Sequence, residues 1–137
     1  MKAYAVLDTN VLVSSLISGN PEAATVQVVT RMLAGEITLV YSEAILQEYE
    51  EVLSRKKFGI DGAVIAGLME AIRTFGISVI PTDSGVTLPD MDDVPFYEVV
   101  LETRDEGAYL VTGNKKHFPK ETFIVTAREF IDILDQG

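Results

Sequence analysis

Short apolar runs alternate along the chain with longer stretches in which apolar residues recur every three or four positions. The runs are AYAVL at 3–7, ITLVY at 37–41, ISVI at 77–80, AYLVT at 108–112 and TFIVT at 122–126. They are rich in β-branched and aromatic residues and apolar on both faces, which predicts strands covered on both sides. Between them the spacing predicts helices. Asn20-Pro21-Glu22 offers a cap, a first-turn proline and an acid, opening a helix that reaches Ala34 before Gly35. Further helices are expected from Ser42 to about Lys57, from Asp61 to Phe75-Gly76, over 94–106 and over 127–134. This alternation predicts an α/β fold, a three-layer α/β/α sandwich around a parallel sheet of about five strands. PTDSGVTLPDMDD at 81–93 reads as a long loop within a single domain over 1–137.

One position breaks the pattern early. The first run stops at Asp8, followed by Thr9 and Asn10, and the apolar residues resume with Val11, Leu12 and Val13. All strands of a parallel sheet end on the same edge, where ligands bind. Asp8 is expected there, and so is Thr112-Gly113-Asn114 at the end of the fourth run. Asp90, Asp92 and Asp93 precede the helix leading into that run. Glu48 has Ala44, Ile45 and Val52 as helical neighbours, which sets it beside the inward face while Glu50 and Glu51 turn outward. Acids from distant segments thus meet at one edge. Each has an ordinary reading too: Asp8 as a helix cap, Glu48 as a boundary residue, the Asp90–Asp93 group as a solvated loop, Asn114 as a turn residue and His117 as a surface side chain.

Composition narrows the chemistry. With 137 residues, 47% of them hydrophobic, the chain can bury a core and is not a disordered tail. It has no cysteine, which removes disulfides and thiolate metal sites. The five-residue apolar run after Met1-Lys2 is too short for a signal peptide, and no stretch is long enough to cross a membrane, so a cytoplasmic location is expected. Twenty-one acids against eleven bases leave a net charge of −10, so any nucleic acid must approach through a local basic patch or bound cations. Clustered, partly buried carboxylates need a compensating cation. No lysine or arginine neighbours Asp8, Glu48 or Asp93 in sequence. A hard divalent ion, Mg²⁺ or Mn²⁺, suits carboxylates, carbonyls and waters. Such an ion with open water positions is equipped for phosphodiester hydrolysis.

Four segments, VLDTNVLVSSL, SEAILQEYEEVL, DMDDVPFYE and AYLVTGN, resemble in that order the motifs of the PIN-domain family, across essentially the whole chain. The resemblance implies an α/β/α sandwich and a Mg²⁺- or Mn²⁺-dependent ribonuclease. Prokaryotic single-domain members are often the toxin of a toxin–antitoxin pair, inhibited by a small antitoxin protein and commonly homodimeric. By position, the resemblance makes Asp8, Glu48 and Asp93 the catalytic, metal-binding acids, with Asp92 as an alternative third. The fourth position, often an aspartate in the family, is Asn114, which can offer a metal or water only an uncharged amide oxygen. Thr9, Asn10 and Thr112 then orient ligands or waters.

RNA, single-stranded or structured, is the implied substrate. Arg55, two helical turns beyond Glu48, and Lys115 and Lys116, directly after Asn114, are the expected substrate-binding residues. Lys56 and Lys57 equally suit a helix C-terminus. The competing function is a catalytically weak PIN-like module that binds RNA or protein. A phosphotransfer domain is disfavoured: the phosphatase pattern needs an aspartate where Asn10 stands, and the receiver pattern needs one ending ISVI. Val26, Val29 and Met32 suit either the core or a dimer interface, with the core preferred.

Overall fold

The computed structural model of the protein describes residues 3–136. Five strands form one parallel sheet in the order β3-β2-β1-β4-β5: β1 (Ala3–Leu7), β2 (Ile37–Tyr41), β3 (Ile77–Ser78), β4 (Tyr109–Val111) and β5 (Ile124–Val125). Central β1 places Ala5 opposite both Leu39 and Tyr109, and Leu7 opposite Val111. Strand order advances from β1 to β3 and then returns across the sheet to β4. Residues 79–108 make that return, and helices cover the sheet on both sides. The expected α/β/α architecture is present.

Six α-helices cover the sheet: α1 (Thr9–Ile17), α2 (Ala24–Leu33), α3 (Glu43–Leu53), α4 (Gly62–Phe75), α5 (Val94–Glu102) and α6 (Ala127–Gln136). Helix α5 packs across β1, β2 and β4, while α2 lies on β2 and against α1 and α6. Val6, Leu7, Leu39, Leu110, Phe96 and Phe130 are almost fully buried in the core. Val29 and Met32 are core residues as well, and Val26 is half-buried.

Several element boundaries differ from the sequence pattern. Helix α1, absent from the helices expected, begins directly after Asp8 and buries Val11, Leu12 and Val13. The stretch at Asn20-Pro21-Glu22 is a turn closed by Asn20 Oδ1, which accepts from the Glu22 backbone N–H at 3.0 Å, and α2 starts only at Ala24. Helix α3 stops at Leu53, with a separate 3-10 turn at Lys56–Phe58. Strand β3 has two residues rather than four: one further bond, from Val79 N–H to the Tyr41 carbonyl, continues the ladder at 2.8 Å, and Ile80 is exposed. Helix α5 ends at Glu102, followed by a 3-10 turn at Arg104–Glu106. At Gly76 a Cβ would lie 2.6 Å from the Ile72 carbonyl oxygen and 2.9 Å from that of Leu39, so only glycine lets α4 turn this closely into β3.

Candidate active site

Return of the chain from β3 to β4 creates a topological switch point beside β1, and a crevice opens there at the carboxyl ends of the strands. Asp8 occupies the junction of β1 and α1. Its backbone N–H donates to the Val111 carbonyl at 2.9 Å, and its own carbonyl accepts from the Val11 N–H at 2.9 Å, closing the first turn of α1. The Asp8 side chain does not cap the helix. Thr112 Oγ1 instead donates to Asp8 Oδ2 at 2.7 Å, and Asn10 Nδ2 lies 3.3 Å from the same oxygen. The carboxyl group is therefore held from β4, across the strand pair, and is free for another role.

Helix α3 clamps the same junction from the other side. Tyr49, fully buried, donates its hydroxyl to the Leu7 carbonyl, immediately before Asp8. Glu48, the preceding residue, accepts a hydrogen bond from the Thr9 hydroxyl, immediately after Asp8. Adjacent residues of α3 thus bracket Asp8 along the chain. The third acidic segment is a 3-10 turn, Met91–Asp93, opened by Asp90, whose Oδ1 accepts from the Asp92 N–H at 3.0 Å. Asp93 is half-buried and Asp92 exposed. His117, in a 3-10 turn at Lys115–His117, brings Nδ1 within 3.1 Å of Asp93 Oδ2.

The electrostatics follow from this crowding. Burial pushes the Asp8 carboxyl up to about 6, with Asp93 adding to the rise and the Thr112 hydroxyl opposing it. Glu48 is also raised, chiefly by burial, then by Asp8 and Asp92, against the Thr9 hydrogen bond. Burial and then Asp90 raise Asp93, and His117 opposes the change. Asp93 interacts with both Asp8 and Glu48, and Asp92 with Glu48. Among the described residues, none of these three acids has a lysine or arginine partner.

A family model described as PIN domain matches residues 4–116. The chain belongs to the PIN-domain family. PIN domains are generally nucleases, and the acids at this sheet edge lie within the matched residues. The PAE2754 protein from Pyrobaculum aerophilum, known from its crystal structure, shares the fold: the TM-score is 0.58 at 10% identity, over 99% of this chain and 91% of that one. No curated protein matches the chain. Among the described residues no helix is long and apolar enough to cross a membrane.

The donor set fits a hard divalent cation in kind. It consists of carboxylates without thiolates, and the most buried of them, Asp8, stands among other acids with no lysine or arginine partner among the described residues. Among the described residues, however, no three of these side chains close on a single point. Of the residues marked out in the sequence, Asp8, Glu48, Asp93, Thr9, Asn10 and Thr112 are brought together. Asn10 also accepts at Oδ1 from the Gly113 N–H at 3.1 Å, and Thr112 Oγ1 accepts from the Asn114 N–H at 3.0 Å. Together they line, with Asn114, one end of a cleft of about 300 Å³.

Three expectations change. Arg55 pairs with Glu51 at 3.0 Å on the outer surface instead of reaching along α3 towards the acids, because α3 ends two residues before it. Asn114 is exposed and contributes a backbone contact to the site. His117, expected on the surface, is partly buried against Asp93. Tyr49 was not marked out in the sequence, and nothing in its spacing announces the bond to Leu7.

Proposed function

We propose that the protein is a metal-dependent endoribonuclease, the toxin of a toxin–antitoxin pair. The observation that carries the nuclease reading is the buried, raised Asp8 carboxyl at the switch point, held by Thr112 and crowded by Glu48 and Asp93. Asp8, Glu48 and Asp93 would hold Mg²⁺ or Mn²⁺, with Asp92 at the rim. When bound, the ion activates water and offsets charge developing on the phosphodiester. Thr112 and Asn10 fix the Asp8 carboxylate, and Thr9 fixes Glu48, so each acid presents a set oxygen to the crevice. Lys115 and Lys116 would meet the RNA backbone at the crevice edge. A small antitoxin protein and a second copy of the chain are the proposed partners, on the strength of the resemblance to prokaryotic single-domain members.

Cleavage of a mixed single-stranded RNA pool with Mg²⁺, Mn²⁺ or EDTA tests the proposal. Metal-dependent cutting by wild type, absent from Asp8→Asn, is the expected result. Equal cutting by both proteins would remove the site assignment. The toxin role predicts arrested growth on expression of wild type and normal growth with Asp8→Asn.

Two observations favour a second reading, a catalytically weak RNA- or protein-binding module. The fourth position is the uncharged Asn114, and the acids do not close on one point among the described residues. Under that reading wild type is inert in the same assay and Asn114→Asp, which adds a carboxylate, cuts.

A further inference from the structure

Basic residues are scarce in this protein, and most are committed. Arg31, Arg55, Arg73 and Lys115 form ion pairs with Asp135, Glu51, Glu50 and Glu129. Arg104 donates to the Ala108 carbonyl and stacks on Tyr109 and Phe123, and Lys57 lies over Phe58. Lys116 and Lys120 have no ion-pair partner among the described residues, and they line the same cleft. That cleft, about 510 Å³, has an apolar floor of Phe118, Pro119 and Ile124, with Thr122 and a single acid, Glu121, on its wall. Its size is that of a small-ligand site. The cleft and the acids meet at one turn: Lys115 and Lys116 share a 3-10 turn with His117, whose ring touches Asp93.

We infer that this cleft is a subsite for one nucleotide of single-stranded RNA flanking the crevice. The inference rests on the nuclease reading for its choice of ligand. An apolar floor accepts the face of an unpaired base, and uncommitted lysines at the mouth take its phosphates. A paired base has no exposed face to lay there, so duplex RNA is excluded from it. In a protein of net charge −10, two unpartnered lysines beside an apolar cleft are a local reversal of sign, as an anionic ligand requires. Glu121 opposes the phosphate and limits affinity.

The test uses the full chain carrying Asp8→Asn, so that RNA stays intact, and fluorescein-labelled mixed-sequence single-stranded RNA across a salt series. Lys116→Gln with Lys120→Gln is expected to weaken binding and to lower the slope of log affinity against log salt by about 1.4, at about 0.7 per phosphate contact on single strands. Glu121→Gln is expected to tighten binding. Unchanged affinity and slope in the double lysine variant overturn the subsite, as does an equal loss on a labelled RNA duplex. The nuclease reading is judged separately by turnover. Wild-type cleavage with indifferent lysines sinks only the subsite, while lysine-dependent binding without cleavage sinks only the nuclease.

Discussion

His117 Nδ1 stands 3.1 Å from Asp93 Oδ2 and joins the turn after β4 to the acidic turn before α5. The contact fixes one oxygen of Asp93 and leaves the other without a hydrogen-bond partner among the described residues. Hydrogen bonds of this kind to a metal-binding carboxylate or imidazole are worth 10–100-fold in metal affinity. His117→Ala is therefore expected to weaken Mn²⁺ binding about tenfold, measured by titration of the metal-free protein, with little change in melting temperature. His117→Asn, which keeps a donor, should retain most of the affinity. Equal Mn²⁺ affinity in wild type and His117→Ala would show that the contact does not serve a metal.

Tyr49 reaches from α3 to the Leu7 carbonyl at the core end of β1. Removing the hydroxyl leaves that buried carbonyl with one partner fewer, at a cost of about 1–3 kcal/mol. Tyr49→Phe is expected to lower stability by that amount in urea unfolding while preserving the packing of the ring against Phe96, 6.2 Å away between centroids. Because the same bond sets the backbone beside Asp8, RNA turnover should fall as well. A stable, fully active Tyr49→Phe would separate Tyr49 from the site.

The sheet was legible in the sequence because buried parallel strands must be apolar on both faces, and Asp8 stood out at the end of the first such run. Glu48 was marked instead by the inward-facing neighbours Ala44, Ile45 and Val52 on its helix and by the family resemblance. The strand rule concealed α1, whose Val11, Leu12 and Val13 prolong the apolar run of β1 and carry no helical spacing. Contacts between distant segments were not legible. Neither the pairing of His117 with Asp93, 24 residues earlier, nor that of Tyr49 with Leu7 leaves a periodic trace. Arg55 was misplaced because the helical spacing from Glu48 assumes an α3 longer than the one that forms.

Among the described glycines, Gly76 has the closest backbone neighbours. A methyl group there meets the carbonyls of Ile72 and Leu39 and the Tyr41 ring, 2.9 Å away at Cε1. Those backbone atoms cannot rotate aside, so Gly76→Ala is expected to destabilise the protein by about 1–3 kcal/mol, the usual range for overpacking. The damage lies at β3, on the sheet edge beyond β2 and away from Asp8. Thermal unfolding should shift down while turnover measured well below the melting temperature stays near wild type. No shift in unfolding would mean that α4 and β3 can separate freely.

Asp8 offers the sharpest sign test. Burial raises its carboxyl from 3.8 to about 6, so the folded, metal-free protein holds this proton more tightly than the unfolded chain does. Its contribution is fully present below about 4 and is lost as pH rises through about 6. The raised values of Glu48 and Asp93 act in the same direction. A rise of this size corresponds to roughly 3 kcal/mol. In EDTA at pH 8, Asp8→Asn should therefore be more stable than wild type by up to that order, since the amide conserves shape and removes the buried charge. The gap should close as pH falls from 6 to 4, followed by denaturant unfolding at each pH. Adding Mn²⁺ at pH 8 should stabilise wild type and leave Asp8→Asn unmoved, because only wild type offers a carboxylate there for the cation to offset. A metal-free wild type that matches or exceeds Asp8→Asn at pH 8 would mean that Asp8 is already compensated within the protein, and the need for a bound cation would vanish with it.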